Sequence, residues 1–83
     1  MNDEHRDFET QIAELKRRQA DLQMMYANSL GNVEKFRRAG SRADVDRALA
    51  IVESRRIELA RCEATLNAIG QALDALKPAN DDA

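Results

Sequence analysis

Two apolar stripes with the same rhythm, one on each side of Ala39-Gly40-Ser41, constrain this chain more than any other feature of it. Before the tripeptide, Phe8, Ile12, Leu15, Leu22, Tyr26, Val33 and Phe36 recur at alternating steps of four and three, with Gln19 and Ser29 in the places left over. After it, Val45, Ala48, Val52, Leu59, Cys62, Leu66, Ile69, Leu73 and Leu76 keep the same rhythm, broken only by Arg55. An average step of about 3.5 residues keeps one face of an α-helix apolar, whereas a strand needs a step of two. The spacing therefore predicts two long amphipathic helices folded back on each other as an antiparallel coiled-coil hairpin, an all-α fold.

The segment between the stripes is suited to reversing the chain. Lys35, Arg37 and Arg38 put positive charge on the last turn of helix one, and Gly40 stands where a left-handed C-cap is needed. Ser41-Arg42-Ala43-Asp44 has the layout of a capping box, with Asp in the place more often held by Glu, so Ser41 is expected to accept from the Asp44 amide. Asn2 or Asp3 can cap the first helix, where Asp3, Glu4 and Asp7 add negative charge. Pro78 lacks an amide hydrogen and restricts the residue before it, so the second helix is predicted to stop at Lys77. One helical-hairpin domain spanning 1–83 follows, with helix 3–39, turn 40–41, helix 42–77 and a frayed tail 78–83.

If the hairpin closes at Gly40, facing seam residues have numbers that sum to about 81. The layers are then Phe36 with Val45, Val33 with Ala48, Ser29 with Val52, Tyr26 with Arg55, Leu22 with Leu59, Gln19 with Cys62, Leu15 with Leu66, Ile12 with Ile69 and Phe8 with Leu73. The polar intrusions meet small, amphipathic or snorkelling partners. Arg55 needs an acceptor, from the Tyr26 hydroxyl, a cross-hairpin carboxylate or a second chain. Lys16 is expected opposite Glu63, and Leu30 opposite Leu49. A rod of two helices half-exposes every seam side chain, and at about 25 cal/mol per Å² that burial struggles against roughly 1.5 kcal/mol of ordering entropy per residue. Assembly into a dimeric four-helix bundle is the expected remedy.

Composition closes other routes. Among 83 residues, 13 basic and 15 acidic side chains leave a formal charge of −2, so no global attraction to nucleic acid is expected. No apolar run is long enough to cross a bilayer, and Asp3 and Glu4 stand where a secretory signal would carry basic residues, so a cytoplasmic chain without membrane attachment is expected. The single cysteine, Cys62, falls on the seam, where a free thiol behaves as a small hydrophobe in a reducing compartment.

The candidate functional residues lie off the seam. In the antiparallel register Met24 pairs with Ile57 and Leu30 with Leu49 and Ile51, so Met24, Met25, Leu30, Leu49, Ile51 and Ile57 gather in one region around the middle and turn-proximal half of the rod. Some of these widen the seam in a bland reading, but Met24 and Ile57 project from the outer face and mark a partner-binding surface. Lys35, Arg37, Arg38, Arg42 and Arg47 cluster at the turn, set against Glu34, Asp44 and Asp46; helix capping explains them, and a phosphate-binding tip is the sharper alternative. His5 and Glu9, one helical turn apart, offer two metal ligands without a third of matching type. Cys62 has no histidine partner to activate it. No enzymatic activity, cofactor, metal or small-molecule ligand is expected.

In size and hairpin plan the chain is similar to the small helical-hairpin subunits of type III secretion chaperone pairs, a likeness of architecture alone that implies partner binding and carries over no site residue. The sequence thus predicts a non-enzymatic protein-protein interaction module, a small adaptor, chaperone or inhibitor that forms a homodimer or packs on a helical protein partner. The alternative is a hairpin that contacts nucleic acid through its basic turn.

Overall fold

The computed structural model describes residues 3–76, which form helix α1 over Asp3–Ala39 and helix α2 over Arg42–Ala75, packed antiparallel as a helical hairpin. The molecule measures 63 × 19 × 15 Å and has a radius of gyration of 18.8 Å. A compact chain of this length would have a radius of about 12 Å. The rod shape follows from the heptad pattern, which offers each helix one face to bury and one neighbour to bury it against.

Burial follows the seam closely. On α1, from Arg6 onward, the residues that escape full exposure are Phe8, Ile12, Leu15, Gln19, Leu22, Tyr26, Ser29, Val33 and Phe36, the predicted stripe. On α2 the stripe from Val45 to Leu73 is buried or half-buried throughout. The residues removed almost completely from solvent are Leu22, Ser29, Val33, Ala48 and Cys62, all of them seam positions.

The turn is a Schellman motif. Gly40 sits at φ +75°, its amide donates to the Arg37 carbonyl at 3.1 Å, and the Ser41 amide donates to the Phe36 carbonyl at 3.2 Å. The expected capping box does not form. The Ser41 side chain makes no bond to the helix backbone; its Oγ donates instead to Asp44 Oδ2 at 2.7 Å. Two causes combine: the Ser41 amide that a capping-box carboxylate would accept is already bound to Phe36, and Asp is one methylene shorter than the usual Glu. The helix begins all the same with the Val45 amide on the Ser41 carbonyl at 2.9 Å.

The far end departs from expectation by a short step. Helix α2 closes at Ala75, and Leu76, assigned to the seam by its spacing, lies in a final turn at 44% exposure with its amide on the Leu73 carbonyl at 3.1 Å. Its level on the rod lies beyond the Phe8/Leu73 layer, where α1 has almost ended. The expected stop at Lys77, the proline at 78, the tail 78–83 and the Asn2 cap lie outside the described residues; Asp3 is the first residue of α1.

Candidate interaction surface

The polar residues on the seam are satisfied within the chain, which removes them from the list of groups awaiting a partner. Ser29 Oγ donates to its own helix at the Tyr26 carbonyl, 2.7 Å away, and Cys62 Sγ lies 3.5 Å from the Leu15 carbonyl across the hairpin. Gln19 donates from Nε2 to Glu63 Oε2 at 3.1 Å, so the acceptor expected to face Lys16 is held by the seam glutamine; Lys16 lines the same shallow depression. Arg55 finds its acceptor in a place not anticipated: Nη1 donates to Glu58 Oε1 at 3.0 Å, one turn along its own helix. Glu58 also faces Arg18 across the hairpin at 3.8 Å. A guanidinium on a long stem can leave the seam and reach a flanking carboxylate more cheaply than it can stay inside.

Large apolar side chains are among the residues left outside. Met24, Met25, Leu30, Leu49, Ile51 and Ile57 are the large exposed hydrophobic residues of the rod proper, from 38% for Met25 to 59% for Met24. Their levels along the rod span about 12 Å at 1.5 Å per residue, all on the turn side of its middle. In the bland reading four of them widen the seam; Met25, Leu30, Leu49 and Ile51, at 38–50% exposure, keep about half of their surface in solvent.

The six do not share one face. Heptad position puts Leu30 and Leu49 on one flank of the hairpin, Met25 and Ile51 on the opposite flank, and Met24 and Ile57 on the outer surfaces of the two helices. They form a collar around the rod, which corrects the expectation of a single patch in which Leu30 meets both Leu49 and Ile51. Counting along the sequence gives axial level; only heptad position gives side.

The Met25/Ile51 flank is grooved. Near the turn, Ser29, Asn32, Phe36, Asp44, Arg47, Ala48 and Ile51 line a depression of about 150 Å³, floored by the small pair Ser29 and Ala48. Farther along, Leu15, Arg18, Glu58, Arg61, Cys62 and Thr65 line another depression on the same flank. Heptad spacing shows why the floor is low: Ser29 and Ala48 hold seam positions that mostly carry larger side chains elsewhere.

The basic turn is largely engaged with its own carboxylates. Arg38 Nε bonds Glu34 Oε2 at 3.3 Å, Arg37 approaches Glu34 Oε1 at 3.8 Å, and Arg47 approaches Asp44 Oδ1 at 3.9 Å. On the outer face of α2, Arg56 is paired with Glu53; that hydrogen bond holds the Glu53 carboxyl below its usual range and raises Arg56, both groups being fully solvated.

Among the described residues no group of three His, Cys, Asp or Glu side chains is placed to hold a metal, and the side chain of His5 lies outside them. No helix among them is long and apolar enough to cross a membrane. No family model, curated protein or solved structure matches the chain.

Proposed function

We propose that this chain is a protein-protein interaction module that acts through its apolar collar, as a small adaptor, chaperone or inhibitor packing on a helical surface of its own kind or of a partner. The observation that supports the reading is the concentration of exposed large hydrophobic side chains in one short stretch of a rod whose polar seam groups are satisfied internally. Apolar clusters rimmed by charge mark association surfaces, and methionines adapt to irregular partners. The hydrogen bond of Arg38 to Glu34, with Arg37 close to the same carboxylate, leaves the turn less suited to phosphate than its basic count suggests.

Site-specific photo-crosslinking in the source cell tests the proposal. A crosslinker at position 30, 49 or 51 should give a discrete protein adduct, of the chain with itself or with one partner, and a crosslinker at Glu14 or Arg17 in the open half should not. Equal adduct yields from both halves, or none from the collar, would overturn it.

A further inference from the structure

We propose that the groove on the Met25/Ile51 flank is closed by a second copy of this chain, laid antiparallel across it about a two-fold axis that passes between Val52 and Glu53. The proposal rests on the interaction-module reading and names the occupant.

The charges along the groove edge of α2 are self-complementary. Asp44 and Arg47 edge the depression near the turn, and Glu58 and Arg61 edge the one farther along. The two pairs are fourteen residues apart, about 21 Å, and each reads negative then positive along the chain. Turning one copy over about the midpoint brings Asp44 against the partner's Arg61 and Arg47 against the partner's Glu58, and symmetry makes each contact twice. The contact that Arg47 makes within the chain, at 3.9 Å, is longer than a hydrogen bond, and Glu58, whose Oε1 accepts from Arg55 at 3.0 Å, keeps its Oε2, 3.8 Å from Arg18, for an opposing cation.

The apolar groups fit the same axis. Ile51, half-exposed, lies beside it and meets its symmetry mate. In the hairpin register the axis crosses α1 near Ser29, so Met25 is carried to the level of the partner's Asn32, over the depression floored by Ser29 and Ala48. A flexible thioether then fills a hollow left by two small seam residues. Surface area agrees: the chain exposes 6407 Å², whereas a compact monomer of 9.3 kDa exposes about 5,000 Å². The rod shape accounts for that excess, and it is large enough to give up the roughly 800 Å² that each partner buries in a standard interface. Charge sets the register of the pair, and the apolar groups hold it.

Sedimentation equilibrium on the full chain and on Arg47→Glu, Glu58→Lys and the double variant tests this, with far-UV circular dichroism to confirm that each stays helical. Each single change sets like charges at two symmetry-related contacts and should weaken the dimer roughly tenfold or more. The double change should return it to within about threefold of the wild type, although it breaks every pair these residues make inside the chain. Positions 47 and 58 lie about 16 Å apart on one helix, so only a partner explains that rescue. As a second measurement, chains with Ile51→Cys and chains with Ser54→Cys, both in a Cys62→Ala background, should form a mixed 51–54 disulfide when combined. A double variant no tighter than the singles, or a dimer that crosslinks through Leu30→Cys and Leu49→Cys instead, overturns this geometry. A wild-type chain that stays monomeric at the highest concentration overturns the second copy as occupant; crosslinking in cells to a different protein would still leave the interaction module standing.

Discussion

The two halves of the rod distribute apolar bulk in opposite ways. Toward the open end, large side chains fill the seam: Phe8, Ile12, Leu15, Leu66, Ile69 and Leu73 lie between the helices and remain half-buried. Toward the turn, the buried seam residues Ser29, Val33 and Ala48 are small, and the large Leu30, Leu49 and Ile51 stand half outside. A pair of helices encloses small seam side chains and, at its middle, Leu22; most large seam side chains keep part of their surface in solvent, because a third neighbour is missing. The open half therefore holds the hairpin together with what bulk it has, while the turn half carries part of its bulk off the seam, about half of it in solvent. Stability of the fold and capacity to associate are separated along the axis.

The sharpest way to break that comparison is a pair of leucines. Leu22, at 3% exposure, is the most deeply buried large residue, and Leu22→Ala should cost about 2–5 kcal/mol, read from urea unfolding at high dilution. Leu30→Ala, made outside the seam, should change the same measurement by no more than about 0.5 kcal/mol and instead shift the concentration dependence of the melt. Equal losses at high dilution would mean that the collar is part of the hairpin core.

The turn gives the next largest effect. Gly40→Val forces a β-branched residue to φ +75° and should cost about 1 kcal/mol or more. Ser41→Ala should cost less, because the hydroxyl serves the Asp44 side chain and no backbone amide depends on it. Thermal unfolding of both variants checks the order, and a larger loss for Ser41→Ala would restore the capping box.

The heptads made the hairpin, its turn and its register legible, since 3.5-residue spacing and a glycine C-cap each have one economical solution. They also made the six collar residues legible as a group, all of which are exposed. Their division between two flanks was less visible, because pairing by residue number gives level and ignores side. The partner of Arg55 was missed for a related reason: a layer diagram looks across the seam, while a long guanidinium reached Glu58 along its own helix. The groove floor at Ser29 and Ala48 was present in the sequence as two undersized seam residues, a signal that becomes a shape only once the helices are placed. The spacing put Leu76 on the seam, while the layer pairing left it with no facing residue, and it is exposed.

Two glycines sharpen the comparison between the halves at a smaller scale. A Cβ built at Gly31 in the turn half, or at Gly70 in the open half, meets nothing within 4 Å. Gly31→Ala and Gly70→Ala should each stabilise the dilute hairpin by up to about 1 kcal/mol through helix propensity, a gain read as a raised melting temperature. If Gly31→Ala alone also weakens association, a partner backbone approaches the turn half closely; a loss from Gly70→Ala alone would move the contact surface to the open half.

The smallest expected effect concerns the charge rim of the collar. Glu53 lies on the outer face of the turn half, and its hydrogen bond with Arg56 lowers its pKa from the ordinary 4.5. A carboxyl with a depressed folded-state pKa contributes stability that is fully present above its unfolded value and is lost as pH falls through the lowered folded value. The hairpin should therefore lose a small increment of stability on acidification below about pH 4.5, and Glu53→Gln should abolish that part of the acid slope while leaving neutral stability nearly unchanged. Since both groups are solvated, salt near 1 M should erase the increment as well. Thermal melts across pH 3 to 7 at low and high salt would read this directly. An acid slope that survives Glu53→Gln would separate it from the Glu53–Arg56 pair.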